Sequence, residues 1–213
     1  MEQIRPFPPT ALLDQAEAEE TIRLAPAPDL KEWVMKNFLT LNGPLHNPDH
    51  DHIAELLEDS ESFLAFAWAS SAFKSKQAYV LGQCEKVMFN QGGWKKLRQE
   101  QQMRDWFGYV PTYLITIDAS FCDEATDSEF CALLEHELYH IGVMRDDDGE
   151  IIYSDSTDLP KHYLAGHDVE EFIGVVKRWG ASESVKRLIE VAKNPPFVSE
   201  RDISKCCGNC VIN

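Results

Sequence analysis

The chain has 213 residues, 44% of them apolar and 26% charged, with a formal net charge of −16. That length suits one substantial domain with extensions, and the acidity argues against nucleic acid as the default partner, because phosphate binding needs a basic surface. No run approaches the roughly 20 apolar residues of a membrane span.

The start of the chain lacks the basic-then-apolar order of a secretory leader, so the expected compartment is the cytosol, with no membrane partner. Lys95, Lys96, Arg98 and Arg104 form a local basic group. Three of the six cysteines crowd together near residue 210, unlike a secreted disulfide framework. Oligomeric state is left open.

Residues 1–28 carry Pro6, Pro8, Pro9, Pro26 and Pro28. The Ala- and Glu-rich stretch 11–23 suits a short helix, and the segment reads as an arm packed loosely on the domain. Asp29 is a good N-cap for a helix to about residue 39, with Leu30, Trp33, Val34 and Phe38 on one face. Asn42-Gly43-Pro44 ends it. His46-Asn47-Pro48-Asp49-His50-Asp51-His52 offers three histidines and two carboxylates to a metal. Asn-Pro-Asp is turn chemistry, so the plainer expectation is a polar loop at a helix start.

Ile53, Leu56, Leu57, Phe63, Leu64, Phe66 and Trp68 predict a long helix over 52–73. Residues 78–84 predict a strand running on towards 89. A helix over 94–106 stops at Gly108. Residues 112–118 are β-branched and aromatic, the clearest strand of the chain. Its edge is a candidate for pairing with an extended peptide.

Thr126-x-x-Glu129 is a capping box. It opens a helix on which Phe130, Leu134 and Ile141 share a face, flanked by Leu133 and Leu138. That helix carries His136-Glu137-Leu138-Tyr139-His140, an H-E-x-x-H pattern. Two imidazoles one turn apart can reach a single Zn²⁺, with Glu137 beside them as general base.

A catalytic zinc takes three protein ligands and keeps one position open. Gly166-His167-Asp168-Val169-Glu170-Glu171-Phe172 supplies the first choice, His167. Alternatively Asp168 caps a helix there and Glu170 or Glu171 is the ligand. Asp168 and Glu135 are candidates to orient a ligand imidazole. The expected reaction is peptide hydrolysis, with zinc polarising the carbonyl and bringing the pKa of water towards ~7. Glu137 would pass the proton to the leaving amine. Tyr153, His162 and Tyr163 are candidates to stabilise the oxyanion.

Asp146-Asp147-Asp148-Gly149 lacks the spaced ligands of a calcium loop and reads as a turn tip. Residues 150–153 suit a short strand. Helices are expected over 166–179, burying Phe172, Ile173 and Val176 and stopped by Gly180, and from Ser182 to about 193. Cys206, Cys207 and Cys210 offer half of a second, structural metal site. Cys210-Val211-Ile212-Asn213 also fits a lipidation signal with an unusual last residue, and a plain frayed tail is the leading reading ahead of both.

Tyr113-Leu-Ile-Thr-Ile-Asp118, Ala132-Leu-Leu-Glu-His-Glu-Leu-Tyr-His-Ile141 and His167-Asp-Val-Glu-Glu-Phe172, in that order, resemble the putative phage metallopeptidase family. Asn47-Pro-Asp-His-Asp-His-Ile53 and Tyr79-Val-Leu-Gly-Gln-Cys-Glu-Lys-Val87 resemble its upstream segments, so the likeness covers about residues 30–180. It implies an α+β, zincin-like domain, mostly helical with a small mixed sheet. That domain would span 29–194, between an arm (1–28) and a cysteine-bearing tail (195–213) that the resemblance does not reach. It further implies zinc on His136, His140 and His167, Glu137 as catalyst, and a protein or peptide substrate. The motif helix and later histidine also resemble SprT-like proteases. The metzincin pattern is not followed, because no histidine lies six residues after His140. The rival function is a catalytically idle zincin fold used as a binding or host-interference module.

Overall fold

The structure is a computed structural model that describes residues 5–18, 21–75, 78–169 and 173–198. Its elements in chain order are α1 (Thr10–Ala18), β1 (Leu24–Pro26), α2 (Pro28–Val34), α3 (Asp51–Asp59), β2 (Leu64–Ala69), β3 (Phe73–Ser75), β4 (Ala78–Val80), β5 (Gly82–Lys86), α4 (Gly93–Phe107), β6 (Tyr113–Asp118), α5 (Ala119–Glu124), α6 (Asp127–Tyr139), β7 (Ile141–Val143), β8 (His162–Leu164), α7 (Ile173–Trp179) and α8 (Glu183–Ala192). The fold class is α+β. Four strands form a mixed sheet in the order β1-β2-β6-β5, with β2 and β6 parallel and the outer pairs antiparallel. β3–β4 and β7–β8 are separate hairpins.

The expected helix over 52–73 is corrected. α3 stops at Asp59, and the next apolar run, Leu64–Ala69, is a central strand. Leu64, Phe66 and Trp68 fill the main core on one face, while Ala65 and Ala67 pack under Met103, Phe107 and Tyr109 on the other. A strand buried on both faces shows no polar alternation, so its pattern does not separate it from a helix. Pairing with β6 decides the matter.

Two further differences concern the N-terminal half. Asp29 does not cap α2; Pro28 occupies the first turn and Ala27 the cap position, where a missing N–H costs nothing. The segment read as a loose arm is instead tied in. β1 pairs with β2, Leu12 is buried, and the Arg5 guanidinium sits 2.9 Å from Asp127 Oδ1 and donates to the Ala125 carbonyl at 2.8 Å.

The main face of the sheet (Phe66, Trp68, Tyr113, Ile115, Ile117) packs against Leu30 and Trp33 of α2, Ile53 of α3, and Phe130, Leu134 and Leu138 of α6. Each large side chain buried there is worth roughly 1.5–3 kcal/mol. The core therefore presses α6 flat beneath the sheet, with its other side facing outward.

β6 is flanked by β2 and β5, so it offers no free edge. The expectation that a peptide pairs with it is corrected; the edge belongs to β5. Asp118 N–H donates to the Leu81 carbonyl and Val87 N–H to that of Thr112. Residues 81, 83, 85 and 87 thus face β6. In an antiparallel pair each residue aims its N–H and C=O to the same side, so those of Gly82, Cys84 and Lys86 face outward.

Candidate metal centre

α6 begins as its sequence requires. Thr126 Oγ1 accepts from Glu129 N–H, and the Glu129 carboxylate accepts from Thr126 N–H at 2.9 Å. His140 is the C-cap residue, and the chain turns directly into β7. β8 returns antiparallel, pairing Ile141 with Leu164 and Gly142 with Tyr163. Tyr163 lies on Gly142 so closely that a β-carbon there would come within 2.8 Å of its ring.

The hairpin ends in a two-way clamp. Ala165 N–H donates to the His140 carbonyl at 2.8 Å, and His140 Nδ1 donates to the Ala165 carbonyl at 2.7 Å. A carbonyl only accepts, so Nδ1 carries a proton, and the tautomer this selects is the one with its lone pair on Nε2. The clamp also delivers His167, two residues on, to the same place.

The ligand atoms of His136, His140 and His167 lie within 4.8 Å of one another, and Nε2 of His136 and His167 are 3.1 Å apart. Bonds of 2.0–2.1 Å at tetrahedral angles separate two nitrogens by about 3.3 Å. Burial, then the two neighbouring imidazoles, push the His136 pKa down, which favours the neutral form that ligates. The donor set therefore fits a metal ion.

Glu137, next in sequence to His136 and within electrostatic reach of His140, is turned to the sheet. It is 2% exposed and lies against β5. A β-carbon at Gly82 would stand 2.5 Å from Glu137 Oε1, so only glycine leaves room for this carboxyl. Burial raises its pKa, while His140 and the Cys84 backbone N–H oppose the rise. Its Oε2 is buried with no hydrogen-bond partner among the described residues. Burial pushes the Cys84 thiol up to about 12, so it carries no thiolate chemistry at neutral pH.

The histidine-rich loop ahead of α3 braces the helix. Asn47 Nδ2 donates to Glu135 Oε1 at 2.8 Å and to the Tyr139 hydroxyl at 2.9 Å. The His50 ring packs edge-on against Tyr139, and His52 Nε2 donates to the Ile141 carbonyl at 2.7 Å. His46 pairs with Asp51. Among the described residues the only metal-sized group is His136, His140 and His167. Sequence reading singled out this loop but missed its task, and it missed Gly82 and Ala165 altogether.

Of the candidate oxyanion donors, Tyr153 hydrogen-bonds Glu55, His162 Nδ1 hydrogen-bonds the Tyr113 hydroxyl, and Tyr163 covers Gly142. None of the three hydrogen-bonds the histidine cluster or Glu137 among the described residues. The expected helix over 166–179 is observed from Ile173, and residues 165–167 have no regular structure. The alternative ligands Glu170 and Glu171, with Phe172, lie outside the described residues, as do Cys206, Cys207 and Cys210. The Asp146–Gly149 stretch is a turn tip in which Asp146 Oδ1 accepts from the backbone of Asp148 and Glu150.

A family model described as putative phage metallopeptidase matches residues 31–193. The chain belongs to this family. The name implies a metal and a protein or peptide substrate, and the match runs past α6 and β8 into α8. No curated protein and no solved structure matches the chain. No described helix of this phage metallopeptidase family member is long and apolar enough to cross a membrane.

Proposed function

We propose that this protein is a zinc-dependent peptidase of zincin-like design, with α6 as its active-site helix. The observation that carries the reading is the convergence of His136, His140 and His167 beside a carboxylate, Glu137, that the fold has confined. Three neutral imidazoles are a zinc donor set that leaves a coordination position open. Zinc bound there supplies a Lewis acid for the scissile carbonyl and makes water nucleophilic near neutral pH.

The chain's own residues do the rest. His140 is held in one tautomer by Ala165, which keeps its ligating nitrogen aimed. Glu137, walled by Gly82, takes the proton from the attacking water and returns it to the leaving amine. The outward backbone groups of Gly82 and Lys86 and the Cys84 carbonyl offer a strand edge for an extended peptide, the Cys84 N–H being held by Glu137, and this lays the scissile bond along the rim beside that carboxylate.

The test is Glu137→Gln, which keeps shape and removes the base. Cleavage of a protein substrate should disappear while about one zinc per chain is retained. A Glu137→Gln protein that cleaves at the wild-type rate would sink the mechanism.

A further inference from the structure

We propose that the rim strand β5 also carries a subsite for a basic side chain of the peptide, lysine or arginine, centred on Glu85. This rests on the peptidase reading and on peptide pairing along β5. It concerns the face of the sheet opposite the histidines.

Side chains alternate along a strand. Gly82 lies beside Glu137 and Cys84 in the core beneath the sheet, so Gln83 and Glu85 turn to the second face. A peptide strand beside β5 alternates in the same way. Every second side chain that it carries is turned to the face of Glu85, and a residue directly across from Glu85 has its β-carbon about 4.5–5.5 Å away.

That face is concave. A groove of about 320 Å³ crosses it, floored by Ala69 and Thr116 and walled by Leu24, Phe73 and Val80, with Glu85 at the β5 side. The small floor residues give it depth, and α4 covers the other end of the same face through Phe107 and Met103. Its walls are apolar and its charge is acidic. Lysine and arginine combine an aliphatic stem with a charged head and match both.

The charge is available. Asp118, which also lines the groove, is engaged in accepting from Ser120 N–H at 3.0 Å. The Glu85 side chain is exposed and makes no hydrogen bond or salt bridge among the described residues. Lys86, the adjacent cation, turns to the other face, over the Tyr113 ring. An exposed carboxylate beside an apolar groove, with no counter-ion among the described residues, gains from a ligand that brings one.

The experiment uses a proteome digested at glutamate, so that internal lysine and arginine survive, as a peptide library. Zinc-loaded wild-type, Glu85→Gln and Glu85→Lys proteins are each incubated with it, and cut sites are read by mass spectrometry. Wild type should enrich lysine and arginine about fivefold at one fixed distance from the cut, the upper end of a cross-strand charge pair. Glu85→Gln should lose the enrichment, and Glu85→Lys should replace it with aspartate at the same position. Cuts without a basic preference, or a preference identical in the three proteins, overturn the subsite and leave the peptidase reading standing. A zinc-loaded wild type that makes no cuts overturns both.

Discussion

Replacing Gly82 by alanine tests whether β5 sets the position of Glu137. A β-carbon at residue 82 lies 2.5 Å from Glu137 Oε1, 2.9 Å from Cδ and 3.0 Å from Cγ, whereas ordinary contact begins at 3.4 Å. The oxygen therefore has to retreat by about 0.9 Å (3.4 − 2.5). Because three atoms of the same side chain are crowded, a rotation about its last bond does not relieve the clash. Misplacing a reacting group by about 1 Å costs on the order of 10² in rate, or about 2.7 kcal/mol of barrier. Stability should change far less. Crowding costs about 1–3 kcal/mol, and alanine returns about 0.4–1 kcal/mol through the unfolded chain. A net loss of about 1 kcal/mol lowers Tm by roughly 2–4 °C in a chain of this size. The expected result is a kcat reduced about 100-fold, with zinc content unchanged and Tm down by a few degrees. A Gly82→Ala protein with bound zinc and wild-type kcat would refute the reasoning, since Glu137 would then not depend on the space that β5 leaves.

Other predictions address the remaining supports. His167→Ala should abolish stoichiometric zinc after dialysis while leaving the far-UV spectrum intact; full zinc content in that variant would assign the third ligand elsewhere. Arg5→Ala should lower the unfolding free energy by about 3 kcal/mol, because it strips a guanidinium from a buried ion pair with Asp127; a loss below about 0.5 kcal/mol, the usual range for surface changes, would mean that the N-terminal segment contributes nothing. Burial holds the His52 pKa below 6.5, helped by His50 and Arg145 and opposed by the Ile141 carbonyl and the Asp49 backbone. The unfolded chain takes up this proton first, so the contribution is complete above pH 6.5 and is lost as pH falls through the lowered native value. Between pH 7.5 and 5.5 the urea midpoint should drop further in wild type than in His52→Gln, and equal drops would contradict the assignment.

The parts of this protein that its sequence discloses are those whose signals are local. β6 shows itself by β-branched and aromatic residues, and α6 by a capping box and an apolar stripe, each within a dozen or so residues. The H-E-x-x-H spacing is readable because one helical turn alone brings the two imidazoles together. His167 is legible for a different reason, since its side chain is itself the ligand type that the helix lacks. β2 is hidden because both its faces are buried, which erases the alternation that marks most strands. Gly82 is hidden because its demand comes from Glu137, far along the chain, and glycine advertises no partner. The Ala165 clamp is hidden more deeply, for it works through a carbonyl that every residue possesses. The loop 46–52 is, as its Asn-Pro-Asp chemistry indicates, a polar start to α3, but the contacts of His50 and His52 with α6 and β7 depend on residues far along the chain and are not legible locally.

The clamp at Ala165 also has a meaning in time. Chains are made from the N-terminus, and folded units form as they emerge. The sheet, α6 and two of the three imidazoles are complete by His140, yet the nitrogen of the third arrives only after β8 has folded back. A growing polypeptide with α6 already in place thus holds a two-toothed comb rather than a three-point seat. The three-histidine group is therefore completed only when the hairpin closes, with α7 and α8 still to follow, and on the proposed peptidase reading the nascent chain would lack its full metal seat until then.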